Sequence, residues 1–204
     1  NDHRFCEIPS DPPYTHVRVQ IYPHGGLARL RVYGKPFCDW SALAASESLN
    51  LLALEHGGDQ VDQAWSDAHY GEPRKLLRPG RGINMGDGWE TRRRREPGND
   101  WCILALGHKG IAGHVEVDTA HFKGNFPASC SIQAACVDEG AATPRSLITQ
   151  SMFWHTLMEE QPLTADSIHE FSELNDLGPI THIRFNMIPD GGVSRVRLFG
   201  KPVS

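Results

Sequence analysis

Apolar and polar residues alternate with period two near the C-terminus, with Ile183, Phe185 and Met187 on one face and His182, Arg184 and Asn186 on the other. That is the pattern of a half-buried strand. Beyond a Pro-x-Gly-Gly segment at residues 189–192 the alternation resumes, with Val196 and Leu198 apolar and Arg195 and Arg197 pointing oppositely. The pair reads as a β-hairpin, with Gly191 and Gly192 supplying positive φ at the tight connection. The same grammar predicts strands at residues 101–106, 113–118 and 129–134, each bounded by Gly, Pro or Asn. Helical patterning is confined to short pieces such as residues 39–54, and residues 138–150 read as a small, polar loop. Short strands spaced by turns predict an all-β antiparallel sandwich of the jelly-roll kind.

The pattern occurs twice. Residues 15–36 repeat residues 181–202 with half of the positions identical, including the Thr-His start, the Gly-Gly turn and the Gly-Lys-Pro end. His16, Arg18 and Gln20 reproduce the polar face of His182, Arg184 and Asn186, whereas His24 stands where the second copy has Asp190. A repeat at this separation implies two units of domain size. Residues 1–37 are expected to be the tail of a first repeat domain, residues 38–50 a linker, and residues 51–204 a whole second domain. The chain is then expected to begin inside its first domain, which leaves that domain incomplete.

Composition narrows the function classes. A hydrophobic content of 39% builds an ordinary core, and no run approaches the length of a membrane helix. A net charge of −5 argues against a general nucleic-acid role. The five cysteines lack C-x-x-C spacing and are odd in number, which favours reduced thiols and a cytoplasmic setting. Unpaired edges on an incomplete β-domain favour association, so a homo-oligomer is expected.

Three clusters carry candidate chemistry. The first is Arg81-Gly-Ile-Asn-Met-Gly-Asp-Gly-Trp-Glu-Thr-Arg-Arg-Arg-Arg95, where Asp87 and Glu90 join glycines that let backbone approach a ligand. It lacks the Gly-Lys-Ser/Thr ending of a phosphate-binding loop, and its arginine run reads as a solvated face flanked by Glu90 and Glu96. The second packs Asp118, His121, Lys123 and Asn125 into eight residues. A histidine beside a carboxylate can carry protons near neutral pH, and an asparagine amide matches a urea-like group. The alternative is a loop whose polar side chains satisfy its own backbone. The third is the face of His182, Arg184 and Asn186 with Asp190 and Arg195, where arginine suits a carboxylate. No metal motif is secure, although Asp118 and His121 could share a divalent ion, and no Gly-x-Ser-x-Gly elbow occurs.

The strings Asn84-Met-Gly-Asp-Gly-Trp-Glu-Thr91, Gly98-Asn-Asp-Trp101, Val117-Asp-Thr-Ala-His-Phe-Lys-Gly-Asn-Phe-Pro127 and Ile188-Pro-Asp-Gly-Gly-Val-Ser-Arg195 closely resemble the allantoicase family, particularly its bacterial forms. Leu76-Leu-Arg-Pro-Gly-Arg-Gly82 and Leu177-Gly-Pro-Ile-Thr-His182 fit as well. The resemblance implies tandem jelly-roll domains similar to galactose-binding modules. It also implies hydrolysis of allantoate to ureidoglycolate and urea, a step of purine degradation, without an assigned cofactor. Such a substrate asks for a cation at its carboxylate, amide-matching groups for its ureido arms and a proton source. The expected catalytic set is His121 or Asp87 as proton donor and Asp118 or Glu90 as activator of water. The expected binding set is Arg184 or Arg195 on the carboxylate and Asn125 and Asn186 on the ureido groups, with Lys123, His182 and Asp190 nearby. Two rival readings stand beside this one. A non-catalytic ligand-binding sandwich would tolerate loss of His121, and an inactive fragment would await a partner.

Overall fold

The computed structural model describes residues 5–9, 12–34, 36–40, 43, 48–138, 140 and 142–203. The ordered sheets begin at β1 (Leu49–Asn50), two residues inside the stretch read as linker. They continue through β2 (Asp59–Trp65), β3 (Trp89–Glu90), β4 (Asp100–Asp118), β5 (Ser129–Ala135), β6 (His155–Pro162), β7 (Ile168–Phe171), β8 (Ile180–Ile188), β9 (Gly192–Val193) and β10 (Arg195–Pro202). Every pairing is antiparallel.

The two strands read at residues 101–106 and 113–118 are one, the 19-residue β4. At about 3.3 Å per residue such a strand would span roughly 60 Å, too long for a flat element in a domain of this size. Register shifts interrupt it instead around Gly107, Gly110 and Gly113, and it joins the two halves of one eight-stranded sheet. Its first half pairs with β8 and β2, and its second half with β10 and β7. A side chain at Gly107 would lie 2.1 Å from the His56 carbonyl oxygen, so this part of β4 sits directly on the short 3-10 turn Leu54–His56.

This topology corrects the hairpin. β8 lies between β4 and β5, β10 lies between β1 and β4, and the two are not paired with each other. The Pro-x-Gly-Gly segment is therefore an arch across β4 from β8 to β10, in which Gly191 has φ +136°. Gly192 is needed for a different reason: a β-carbon there would sit 2.0 Å from the Phe122 ring, which is fully buried against it.

Between the two halves the alternation of the sequence holds. Ile183, Phe185 and Met187 of β8, Cys130 and Ile132 of β5, Val196 and Leu198 of β10, and Val115 and Val117 of β4 form one buried core with Trp89. Outside the half that contains β8 a smaller cluster of Val61, Ala64, Ile103 and Leu147 is roofed by α1 (Pro144–Ser151). That helix replaces part of the predicted loop 138–150. Its start is written in Thr143-Pro144, with the Thr143 hydroxyl accepting from Ser146 N at 3.3 Å and proline in the first turn. The helical pattern at residues 39–54 yields no α-helix among the described residues there, and residues 41, 42 and 44–47 lie outside them.

The first repeat copy departs most from expectation. Residues 12–34 form no strand, and Val17, Val19, Ile21, Leu30 and Val32 stay exposed. The reason follows from the topology: the two strands of a copy pair with β4 and its neighbours rather than with each other.

Candidate active site

Three loops meet at one end of the sandwich, where β4 ends, β5 begins and β8 arches over to β10. The first runs from the 3-10 helix Pro73–Leu77 to β3 and contains a second 3-10 turn, Met85–Asp87. The second joins β4 to β5. The third is the arch at residues 189–194. Gly192 N donates to Asn125 O at 2.8 Å and Ser194 N to Asp118 O at 2.8 Å, which locks the arch to the second loop.

Arg195 holds the first loop in place. Its side chain is 1% exposed. Nε donates to Gly80 O at 3.1 Å, Nη1 to Asp87 O at 2.6 Å and to Ser194 O at 2.7 Å, and Nη2 to Asp87 Oδ2 at 2.7 Å. Arg78 takes the other oxygen of Asp87 at 2.5 Å. Burial pushes the Asp87 carboxyl upward, but the hydrogen bonds from Arg195 and Arg78 outweigh it and hold the group below the ordinary carboxylate range. Two expectations are corrected here. Arg195 has no surface left for a ligand, and Asp87, ionised and doubly paired, does not serve as a proton donor near neutral pH.

Asp118 is corrected likewise. It is 1% exposed, receives Arg81 Nε at 3.0 Å and Arg81 Nη2 at 3.4 Å, and caps Ala120 N at 2.8 Å. It positions Arg81, whose own side chain is 52% exposed and keeps Nη1 for a ligand. The same contacts give each Asp118 oxygen at least one donor. Among the described residues no three His, Cys, Asp or Glu side chains are grouped to hold a metal.

His121 sits half-buried between the loops with φ +70°. Its Nε2 lies 2.7 Å from Gly82 O, and its backbone N donates to Asp166 Oδ1 at 2.7 Å. A carbonyl oxygen can only accept, so Nε2 carries a proton, and in the neutral ring the lone pair falls to Nδ1. The hydrogen bond from His121 N, with Lys123 3.8 Å away, lowers the Asp166 carboxyl. Further along, Asn125 Nδ2 donates to Glu90 Oε1 at 2.6 Å, which leaves Asn125 Oδ1 and the second Glu90 oxygen available to N–H donors. His121, Lys123, Asn125, Glu90 and Arg81 are thus brought to one rim.

The structure places the remaining expected residues elsewhere. Arg184 lies on the outer face of β8, 4.3 Å from the Trp101 ring centroid, with Nη1 on Ser151 Oγ of α1 at 2.9 Å and Nε on Asn186 Oδ1 at 3.2 Å. Asn186 continues this network to Ser131 and Gln133. His182 is beside Thr181 Oγ1 at 2.9 Å, and burial pushes its imidazole down to about 4, so it is neutral at pH 7. Asp190 accepts from Arg94 N at 2.9 Å and fixes the arginine run against the arch. Sequence reasoning missed Arg78 and Arg81, although both flank the Pro-Gly of the Leu-Leu-Arg-Pro-Gly-Arg-Gly string.

An allantoicase repeat model matches residues 1–37 and 49–203. The chain belongs to the allantoicase family. It is 57% identical over 98% of its length to a probable allantoicase 2 of Burkholderia pseudomallei, of which it covers 59%, and 56% identical to a probable allantoicase of Pseudomonas savastanoi, of which it covers 60%. It therefore spans about three fifths of these relatives. Among solved structures, the allantoicase of Saccharomyces cerevisiae superposes with a TM-score of 0.63 at 32% identity, covering 75% of this chain and 43% of that one. A striped bass fucolectin superposes at 0.55 with 12% identity, covering 76% of this chain and 48% of that one, which shows the lectin-like jelly-roll fold alone.

Proposed function

We propose that this allantoicase-family chain hydrolyses allantoate to ureidoglycolate and urea, with the rim around His121 as its site. The observation that carries this reading is the fixed tautomer of His121, held by Gly82 O in a chain of this family. Arg81, oriented by buried Asp118, and Lys123 receive the substrate carboxylate. Asn125 Oδ1 and Glu90 take ureido N–H groups. A water oxygen bonds to the carbon bearing the carboxylate, and one C–N bond to a ureido group breaks. The proton released by the water passes through His121 Nδ1 to the departing nitrogen, and the hydroxyl stays on the carbon. Glu90 and His121 remain the proton-handling candidates, while Arg184, His182 and Asn186 move to a supporting role for the sheet.

Five cysteines without a disulfide among the described residues support a reducing, cytoplasmic setting. The net charge supports a small-molecule rather than nucleic-acid partner, and among the described residues no helix is long and apolar enough to cross a membrane. The exposed apolar side chains between Val17 and Val32 support a homo-oligomer.

The test is urea release from allantoate by the 204-residue chain and its His121→Ala variant, with circular dichroism confirming that both are folded. A fall of about a hundredfold or more is expected, the usual scale of a lost general acid-base group. Unchanged turnover in the folded variant would remove His121 from the mechanism. Ligand binding without turnover in the parent chain would favour the lectin-like binding reading.

A further inference from the structure

Next to the rim, on the far side of Thr91, the arginine run is not simply a solvated face. Arg92, Arg93, Arg94 and Arg95 line a cavity of about 260 Å³ with Ser66, Asp67, Glu96 and Asp100. The volume lies just below the range of drug-sized pockets and suits a smaller polar ligand. Its acidic members are mostly engaged within the fold. Asp100 is buried and accepts from Ser66 Oγ at 2.8 Å and Arg94 Nη1 at 3.2 Å, and Asp67 caps His69 N and Arg92 N and pairs with Arg92 Nε at 3.3 Å.

Of the basic members, Arg92 is paired in this way and Arg94 only loosely. Arg195, an arginine used for architecture, has four hydrogen bonds of 2.6 to 3.1 Å. Arg94 has contacts of 3.2 and 3.5 Å, and its Nε is buried with no hydrogen-bond partner. The Arg93 and Arg95 guanidiniums make no ion pair or side-chain hydrogen bond among the described residues. Four guanidiniums against three carboxylates leave a surplus positive charge in a half-open cleft, where the planar guanidinium fork suits a bidentate contact to a carboxylate. Glu96 and the Ser66 hydroxyl are acceptors within the same wall.

We propose that this cavity is a second ligand site, for a small carboxylate that also carries N–H donors: Arg93 and Arg95 grip the carboxylate and Glu96 accepts from the N–H groups. The choice of a ureido acid as that ligand rests on the proposed reaction; the anion site itself does not. The probe is ureidoacetate, which lacks the second ureido group, titrated calorimetrically into the 204-residue chain alongside acetate, urea and inorganic phosphate. Because ureidoacetate also carries the groups that the proposed rim receives, the titrations are made in a Lys123→Gln/Asn125→Ala background, where saturable binding that weakens at least tenfold on adding Arg93→Gln/Arg95→Gln is expected. Arg93 and Arg95 are exposed, so adding their substitutions should leave the melting temperature of the background unchanged. Equal affinity with and without Arg93→Gln/Arg95→Gln in that background would overturn the site, as would acetate or phosphate binding as tightly as the ureido acid. Because urea release is measured separately, the reaction can fail while the site stands, and the reverse.

Discussion

Replacing Arg195 with methionine tests the frame on which the rim depends. Arg195 is 1% exposed, and its removal takes a donor from the carbonyls of Asp87 and Ser194, leaves Gly80 O with Arg197 Nη2 alone, and leaves Asp87 Oδ2 with only the long 3.4 Å contact from Ile83 N. Breaking a buried ion pair from one side costs about 3–5 kcal/mol, because the surviving charge stays out of water. Arg78 still holds the other oxygen of Asp87, so the low end, about 3 kcal/mol, is expected. In urea unfolding with a slope of about 2 kcal/mol/M, the midpoint should fall by roughly 1.5 M at constant slope. Adding Asp87→Asn should return part of the loss, since the orphaned charge is gone, giving a coupling of at least about 1 kcal/mol. A loss under about 1 kcal/mol, or strict additivity of the two substitutions, would refute the view that Arg195 and Asp87 act as a unit. Urea release should fall with the Arg195 variant too, since Gly82, the anchor of His121, lies in the loop that Arg195 holds.

Other outcomes follow from the same geometry. His182 is neutral when folded, with its pKa pushed down to about 4, against about 6.5 unfolded, so the unfolded chain binds more protons between those values and stability drops as pH falls through that window. His182→Gln should flatten this decline by about 2 kcal/mol after allowance for partial exposure, and parallel pH curves of the urea midpoint for variant and parent would contradict it. Asp87 acts in the same direction: its depressed carboxyl adds stability above about pH 4 that is lost as pH falls through the folded value, so Asp87→Asn should lose stability at pH 7 and progressively less as the pH is lowered. Gly192→Ala drives a methyl group into the Phe122 ring and should cost about 1–3 kcal/mol in thermal unfolding, with reduced turnover from the displaced 118–127 loop. Thr143→Ala removes the cap of α1 and should cost about 1 kcal/mol, a melting-temperature drop of about 2–4 °C.

The strands were legible because alternation with period two reports burial directly, and Ile183, Phe185 and Met187 are fully buried as that period requires. What covers the opposite face was not legible. His182, Arg184 and Asn186 share a polar face in the sequence, but α1 and Trp101 close over it, so residue types suited to a ligand serve one another. Long-range pairing hid the site in the same way. Asp118 looks like a free carboxylate beside His121 until the loop from Arg78 to Asp87 returns and delivers Arg81 to it. Arg195 alternates away from Val196, yet that same loop folds over it and buries it. Local spacing found the second loop, His121 to Asn125, because its residues are contiguous; it could not find the partners supplied from other parts of the chain.

The two repeat copies separate pattern from partner. Residues 15–36 and 181–202 have the same alternation, the same Gly-Gly and half of their residues in common, yet only the second forms strands. Had the copy been a hairpin, its own two strands would have supplied each other's hydrogen bonds, and both copies would have had the means to form one. Instead β8 takes its ladder from β4 and β5, and β10 takes its ladder from β1 and β4, so every backbone pairing of the copy is with residues outside it. Burial of the apolar row depends on the same neighbours: Val196 and Leu198 are covered by the core, while Val17 and Val32, in the copy without neighbours, face solvent. The alternation therefore encodes which face a strand would bury, and β4, which pairs with both β8 and β10, decides whether there is a strand at all.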